Sequence, residues 1–200
     1  MNTDTTREQI LQGFTDQLLD VGYRGISLQS ITDAVGIKRP SLYHHFPDGK
    51  EQIYTEVALR MIDDDAARVA AALADHRDLK GRLVALALLH TDDARKAALD
   101  QRIYDATRYV GDETRTLVST RYVEGLLSPV TDMMRQAVSR GELRPIEPDL
   151  LMQTFFGMTG AVQDIPEDVG MPPDRRGSRS PALDMAEKVV DLFLRGAGAG

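Results

Sequence analysis

With 200 residues, 42% of them hydrophobic, the chain can bury a substantial core as one large domain or two small ones. It has no cysteine, which excludes disulfides, thiolate catalysis and Cys-ligated zinc together and fits a reducing compartment. The net charge of -7 excludes a uniformly basic surface, and neither a signal peptide nor an apolar run of the roughly 18 residues needed to span a bilayer is legible, so a cytoplasmic protein with no membrane partner is expected.

The first predicted element is a helix in which Ile10, Phe14 and Leu18 recur at four-residue spacing and which ends near Gly22. Residues 27–50 then read as two short helices around a tight turn. Ser27 precedes an apolar pattern of Leu28, Ile31, Ala34 and Val35, where its hydroxyl can cap the free amides of a helix spanning about Leu28 to Val35. Gly36 supplies the positive φ that suits a helix C-terminus, and Ile37 turns back to the core. A new helix must start at once, because Pro40 is tolerated only in a first turn. Leu42 and Phe46 share its apolar face, and Pro47, Asp48 and Gly49 end it.

Two helices joined by a short turn containing glycine make a helix-turn-helix, whose second helix can lie in the DNA major groove. Its outward residues suit that role. Lys38 and Arg39 can donate to guanine edges or phosphates, Ser41 is short enough for close approach, and Tyr43 and His44 can reach the flanking backbone. Ser27, Gln29, Pro40 and Lys50 complete the candidate DNA-contact set. From Arg24 to Lys50 the charges are Arg24, Lys38, Arg39 and Lys50 against Asp33 and Asp48, a local excess of two positives in an acidic chain. So small an excess implies modest affinity for a single head.

These residues carry a resemblance. Residues 7–62 resemble the N-terminal domain of TetR-type (TetR/AcrR) transcriptional regulators, through Gly22-Tyr23, Ser27-Leu28 with Ile31, Ala34, Gly36, Ser41-Leu42-Tyr43, His45-Phe46 and Lys50-Glu51. Two departures stand out: Lys38 occupies the cap position where such proteins commonly carry a small hydroxyl residue, and Phe46-Pro47-Asp48-Gly49-Lys50 holds one extra residue.

After Lys50, Ile53, Val57 and Met61 form another helical stripe, in a long helix running towards Asp75 that links head to body. A helix from about Leu79 is apolar on every face through Leu83-Val84-Ala85-Leu86-Ala87-Leu88-Leu89, as in the middle of a bundle, and ends near His90. A helix over about Ala94 to Tyr109 follows, stopped by Gly111. A long one then runs from about Glu113 to Arg140, kinked at Pro129 and stopped by Gly141. Beyond the linker around Pro145, a helix runs from Pro148 to about Gln163. Residues 164–180 read as a loop, and a last helix covers about Pro181 to Arg195 before a loose glycine-rich tail. No strand and no repeat is expected.

The expected fold is all-α: a three-helix helix-turn-helix head over residues 1–50 and a helical bundle over 51–200, with about nine helices altogether. In the last two helices Leu151, Phe155, Met158, Val162, Leu183, Val190, Phe193 and Leu194 form apolar faces that could complete a monomer core. The resemblance implies instead that they pair with their twins in a homodimer, which by symmetry reads a palindromic double-stranded operator. It also implies a small-molecule effector pocket among the middle helices, where Met61, Leu86, His90, Tyr104, Arg108, Tyr109, Tyr122 and Phe155 are candidates. Tyr104 and Arg108 share a helix face suited to an anionic or polar aromatic ligand.

An enzyme is not expected. The histidines show no metal-ligand spacing, phosphate loop and nucleophile elbow are absent, and Asp63-Asp64-Asp65 diverge by about 100° per residue on a helix. No cofactor and no metal is anticipated. The expected function is a ligand-responsive, dimeric repressor that leaves DNA on binding its effector. The competing reading is an all-helical ligand-binding or adaptor protein that does not act on DNA.

Overall fold

In a computed structural model, which describes residues 3–89, 94–160 and 182–199, the chain is all-α. The helices are α1 (Thr3–Gly25), α2 (Leu28–Val35), α3 (Arg39–His45), α4 (Lys50–Ala74), α5 (Leu79–Leu88), α6 (Ala94–Ala106), α7 (Asp112–Tyr122), α8 (Ser128–Ser139), α9 (Pro148–Thr159) and α10 (Ala182–Ala197). A π turn at Val123–Leu127 joins α7 to α8. Among the described residues no helix is long and apolar enough to cross a membrane.

The chain divides into two compact units, one of residues 1–64 with 95–123 and the other of residues 65–94 with 124–200. The first unit adds α6 and α7 to the predicted head. Its core joins Ile10, Phe14 and Leu18 of α1 to Ile31, Leu42, Phe46, Ile53 and Tyr54, all fully buried. Tyr54 also donates its hydroxyl hydrogen to the Ile103 carbonyl at 3.0 Å, which fastens α6 to α4. Edge-to-face contacts run from Phe14 to Tyr23 and from Tyr23 to Tyr54, at 6.5 and 5.3 Å between ring centres.

The core of the second unit is built by Leu83 and Leu86 of α5, Val130 and Met134 of α8, Phe155 of α9 and Val190 and Phe193 of α10. Four residues of the expected pairing face serve this core. Leu151, Phe155, Val190 and Phe193 are each at most 3% exposed within the single chain, so their stripe is consumed by their own unit. Phe155 meets Phe193 at 5.4 Å. Met158 and Leu194 are half-buried, Leu183 is exposed, and Val162 lies outside the described residues. The face that α9 turns outward carries Leu150, Gln153, Thr154 and Gly157. A helical wheel reveals an apolar stripe but not what covers it.

Two further expectations change. The long helix over 113–140 does not kink within a regular α-helix: the π turn intervenes and Pro129 falls in the first turn of α8. Proline offers no amide hydrogen to the preceding turn, and a wider turn lets the neighbouring carbonyls find later donors. The C-terminal tail is also pinned where it is described. Arg144 donates its backbone N–H to the Ala197 carbonyl at 2.8 Å, and Leu143 and Gly198 form a lone antiparallel bridge.

Candidate nucleic-acid interface

The helix-turn-helix is held by local chemistry. Ser27, with φ -116° and ψ 152°, accepts the Ser30 amide hydrogen on its hydroxyl at 2.9 Å, and the Ser30 hydroxyl accepts the Ser27 amide hydrogen at 3.1 Å. The reciprocal pair is a capping box with serine on both sides. Ser30 also donates to the Gln17 side chain at 2.6 Å, tying α2 to α1. At the other end Gly36 has φ 72°, and the Ile37 amide reaches back to the Thr32 carbonyl at 3.0 Å. That conformation disfavours any residue with a Cβ.

The turn places α3 with Leu42 and Phe46 fully buried and its other face open. Lys38 stands at the N-cap with no side-chain cap, since an ammonium can only donate; Pro40 fills the first turn. Lys38, Arg39, Pro40, Tyr43 and His44 are exposed and Ser41 is half-buried. Among the described residues no hydrogen bond or ion pair engages the side chains of Lys38, Arg39, Ser41 or Tyr43, while the His44 ring leans on His45 at 5.4 Å. The result is a row of donors with no internal obligation, on a helix whose backbone is anchored by two apolar residues. Such a row can meet base edges and phosphates without breaking existing contacts.

The remaining candidates differ. Ser27 is exposed but commits its hydroxyl to the cap, and Gln29 donates to Asp33 at 2.7 Å on the same helix. Lys50 does not present its ammonium outward as expected. It donates to the Ile26 carbonyl at 2.8 Å and lies over the Tyr23 ring at 4.2 Å, and burial holds its pKa below the ordinary lysine value. Its work is to close the loop between α1 and α2, because the carbonyl and the ring face offer more than water at that half-buried point. Arg7 is engaged likewise, paired with Glu56 and lying 4.7 Å over the Phe46 ring.

The described effector candidates divide between the two units. Leu86 and Phe155 are core residues of the second unit, while Met61 is half-buried in the first. Tyr104 and Tyr122 are exposed at 61% and 45% in the first unit, and His90 lies outside the described residues. Arg108 and Tyr109 do line a cleft of about 330 Å³ in the first unit, together with residues 21–24, Arg102, Asp105 and Ala106. Tyr104 is not part of it. Sequence reading missed Arg24, Arg102 and Asp105, since no spacing along the chain announces that α6 meets the end of α1. Within the acidic run, Asp63 takes Arg121 at 2.6 Å and Asp65 takes Arg68 at 3.6 Å.

Comparison with known proteins places the head. Residues 10–57 match the family model described as bacterial regulatory proteins, tetR family. The chain is 33% identical over 80 residues to the HTH-type transcriptional activator FasR of Mycolicibacterium smegmatis, covering 40% of this chain and 36% of that protein. It is 33% identical over 70 residues to the HTH-type transcriptional repressor AcnR of Corynebacterium diphtheriae, covering 35% and 34%. The chain thus matches about a third of the length of these curated relatives. Among solved structures, AibR in complex with isovaleryl coenzyme A and operator DNA superposes with a TM-score of 0.70 at 24% identity, over 94% of this chain and 97% of that one. At that identity the likeness concerns the fold.

Proposed function

We propose that this chain, whose residues 10–57 match the family model of bacterial regulatory proteins, tetR family, is a ligand-responsive repressor of that family that binds a palindromic operator as a homodimer and leaves it when a small-molecule effector binds. Residues 1–50 serve as the DNA-binding part and residues 51–200 as the ligand-binding and dimerisation part. The observation that carries this reading is the row Lys38, Arg39, Ser41 and Tyr43 on the open face of α3, whose side chains no hydrogen bond or ion pair engages among the described residues. Placed in a major groove, the first residues of α3 meet base edges while Tyr43 and His44 meet the backbone. With a local excess of only two positive charges between Arg24 and Lys50, one head holds DNA weakly, and a second copy about one DNA turn away, roughly 34 Å, supplies the missing affinity.

Pairing of copies is supported by the outward face of α9, where Leu150 is 55% exposed and Gly157 has nothing within 4 Å of a Cβ built on it, and by Leu183 and Leu192 on α10. Ligand and operator both have precedent among the relatives: AibR was captured in complex with isovaleryl coenzyme A and operator DNA, and AcnR is a repressor. An effector that prefers one arrangement of the two heads shifts the dimer towards it in proportion to that preference.

The test is a mobility shift with DNA flanking the chain's own gene. A saturable, salt-sensitive complex is expected, and Arg39→Ala or Tyr43→Ala should abolish it while the variant keeps its helical circular dichroism and its oligomeric state. Absence of any complex, or undiminished binding by both variants, rules the reading out.

A further inference from the structure

The cleft beside the end of α1 gathers three arginines with nothing to pair with. Arg24, Arg102 and Arg108 all line it, and among the described residues none of the three guanidinium groups makes a hydrogen bond or ion pair. Arg24 only lies over the Tyr109 ring, at 5.5 Å. The one carboxylate in the lining, Asp105, already accepts from Gln101 at 3.1 Å. Three positive charges against one negative leave two in excess, in a chain whose net charge is -7. Elsewhere arginines of this chain find acids readily, as Arg60 does with Glu8 and Glu56, Arg115 with Asp112, and Arg140 with Glu142. Like charges brought together without a counterion repel, so the cluster stores an unmet demand for an anion.

We propose that this cleft is a binding site for a small phosphate-bearing molecule. Guanidinium groups present planar forks of donors, and forks from several directions suit the tetrahedral oxygens of a phosphate better than the single edge of a carboxylate. The helix break makes room for it. Gly22 adopts φ 68°, and a Cβ there would stand 3.3 Å from an Arg102 terminal nitrogen, so glycine admits that guanidinium to the turn. A volume of about 330 Å³ exceeds a bare phosphate and leaves space for an organic moiety against Tyr23 and Tyr109. The site lies wholly within the first unit, the same unit that carries α3. Phosphate binding there does not depend on the effector reading above; were the ligand also the effector, the two properties would be measured separately.

The test is calorimetric titration of the full chain with inorganic pyrophosphate at low ionic strength. Saturable binding is expected, with affinity falling at least tenfold in an Arg102→Gln, Arg108→Gln double variant and unchanged in Arg135→Gln, which removes a cation from the second unit. Both altered side chains reach solvent, and circular dichroism checks that the variant folds. No saturable heat, or equal affinity in the double variant, overturns the site. The other source of phosphate is the DNA backbone: if the double variant weakens DNA binding and flattens its salt dependence while the parent chain ignores pyrophosphate, the guanidiniums serve DNA and the small-molecule site is wrong. Pyrophosphate binding that leaves the mobility shift unaltered keeps the site and separates it from effector release.

Discussion

Lys38 shows how one side chain can serve two ends at once. A lysine cannot accept a hydrogen bond, so α3 begins without the side-chain cap a hydroxyl would provide, and in return a cation stands free at the edge of the open face. Lys38→Ser should therefore stabilise the chain by about 0.5–1 kcal/mol in denaturant unfolding. The same change should weaken DNA binding and lower the slope of log affinity against log salt by about 0.9, the value for one lost phosphate contact. Stability and affinity moving in the same direction would refute that division of roles. Tyr23 supplies a pH-dependent counterpart. Burial first, and the nearby Glu51 carboxylate second, push its pKa from 10.0 up to about 12. The folded state thus holds the phenol proton after the unfolded chain has lost it, so its contribution is complete below pH 10 and is lost as pH rises towards 12. The lowered pKa of Lys50 acts in the opposite sense in the alkaline range. Unfolding measurements from pH 8 to pH 12 on Tyr23→Phe isolate the first effect, and a shallower alkaline loss than in the parent is expected. Sequence reading placed Lys50 at the start of α4 but not its partners, because the Ile26 carbonyl and the Tyr23 ring reach it only once α1 and α4 are packed.

Among the elements, α2 was legible to the residue and the length after Gly111 was not. The limits of α2 are set by Ser27 and Gly36, whose effects act within four residues of themselves. Gly36→Ala should cost about 1–2 kcal/mol, the strain of a Cβ in the left-handed region, since no neighbour stands within 4 Å to add a clash. Equal stability of Gly36→Ala and the parent would mean that the turn relaxes to another conformation. Pro129 announced an irregularity, yet whether it would appear as a kink or as a π turn depends on how the two ends pack, and α8 packs against α9. The pinned tail belongs to the same class: nothing in a run of glycine and alanine foretells that Ala197 accepts the Arg144 amide hydrogen.

For the whole molecule the open matter is pairing. Leu151, Phe155, Val190 and Phe193 are spent inside their own unit, so a second copy must meet other residues, and the outward face of α9 is the proposed place. Gly157→Arg tests it cleanly. The site is open in the single chain, and arginine suits a helix interior better than glycine by about 0.8 kcal/mol, so stability of the isolated chain should hold or rise. If copies pair through that face, sedimentation should show a monomer, and operator affinity should fall at least tenfold. A dimer unchanged by Gly157→Arg would send the interface elsewhere. The sequence alone determined the all-α class, the helix-turn-helix and its outward row, because caps, turn glycines and four-residue periodicity act over one or two helical turns. Only the tertiary structure decided which apolar stripes are already buried, that Lys50 faces inward, and that arginines at positions 24, 102 and 108 share one cleft. Those outcomes depend on which helices meet, and a helix face carries no record of its partner until the chain has packed.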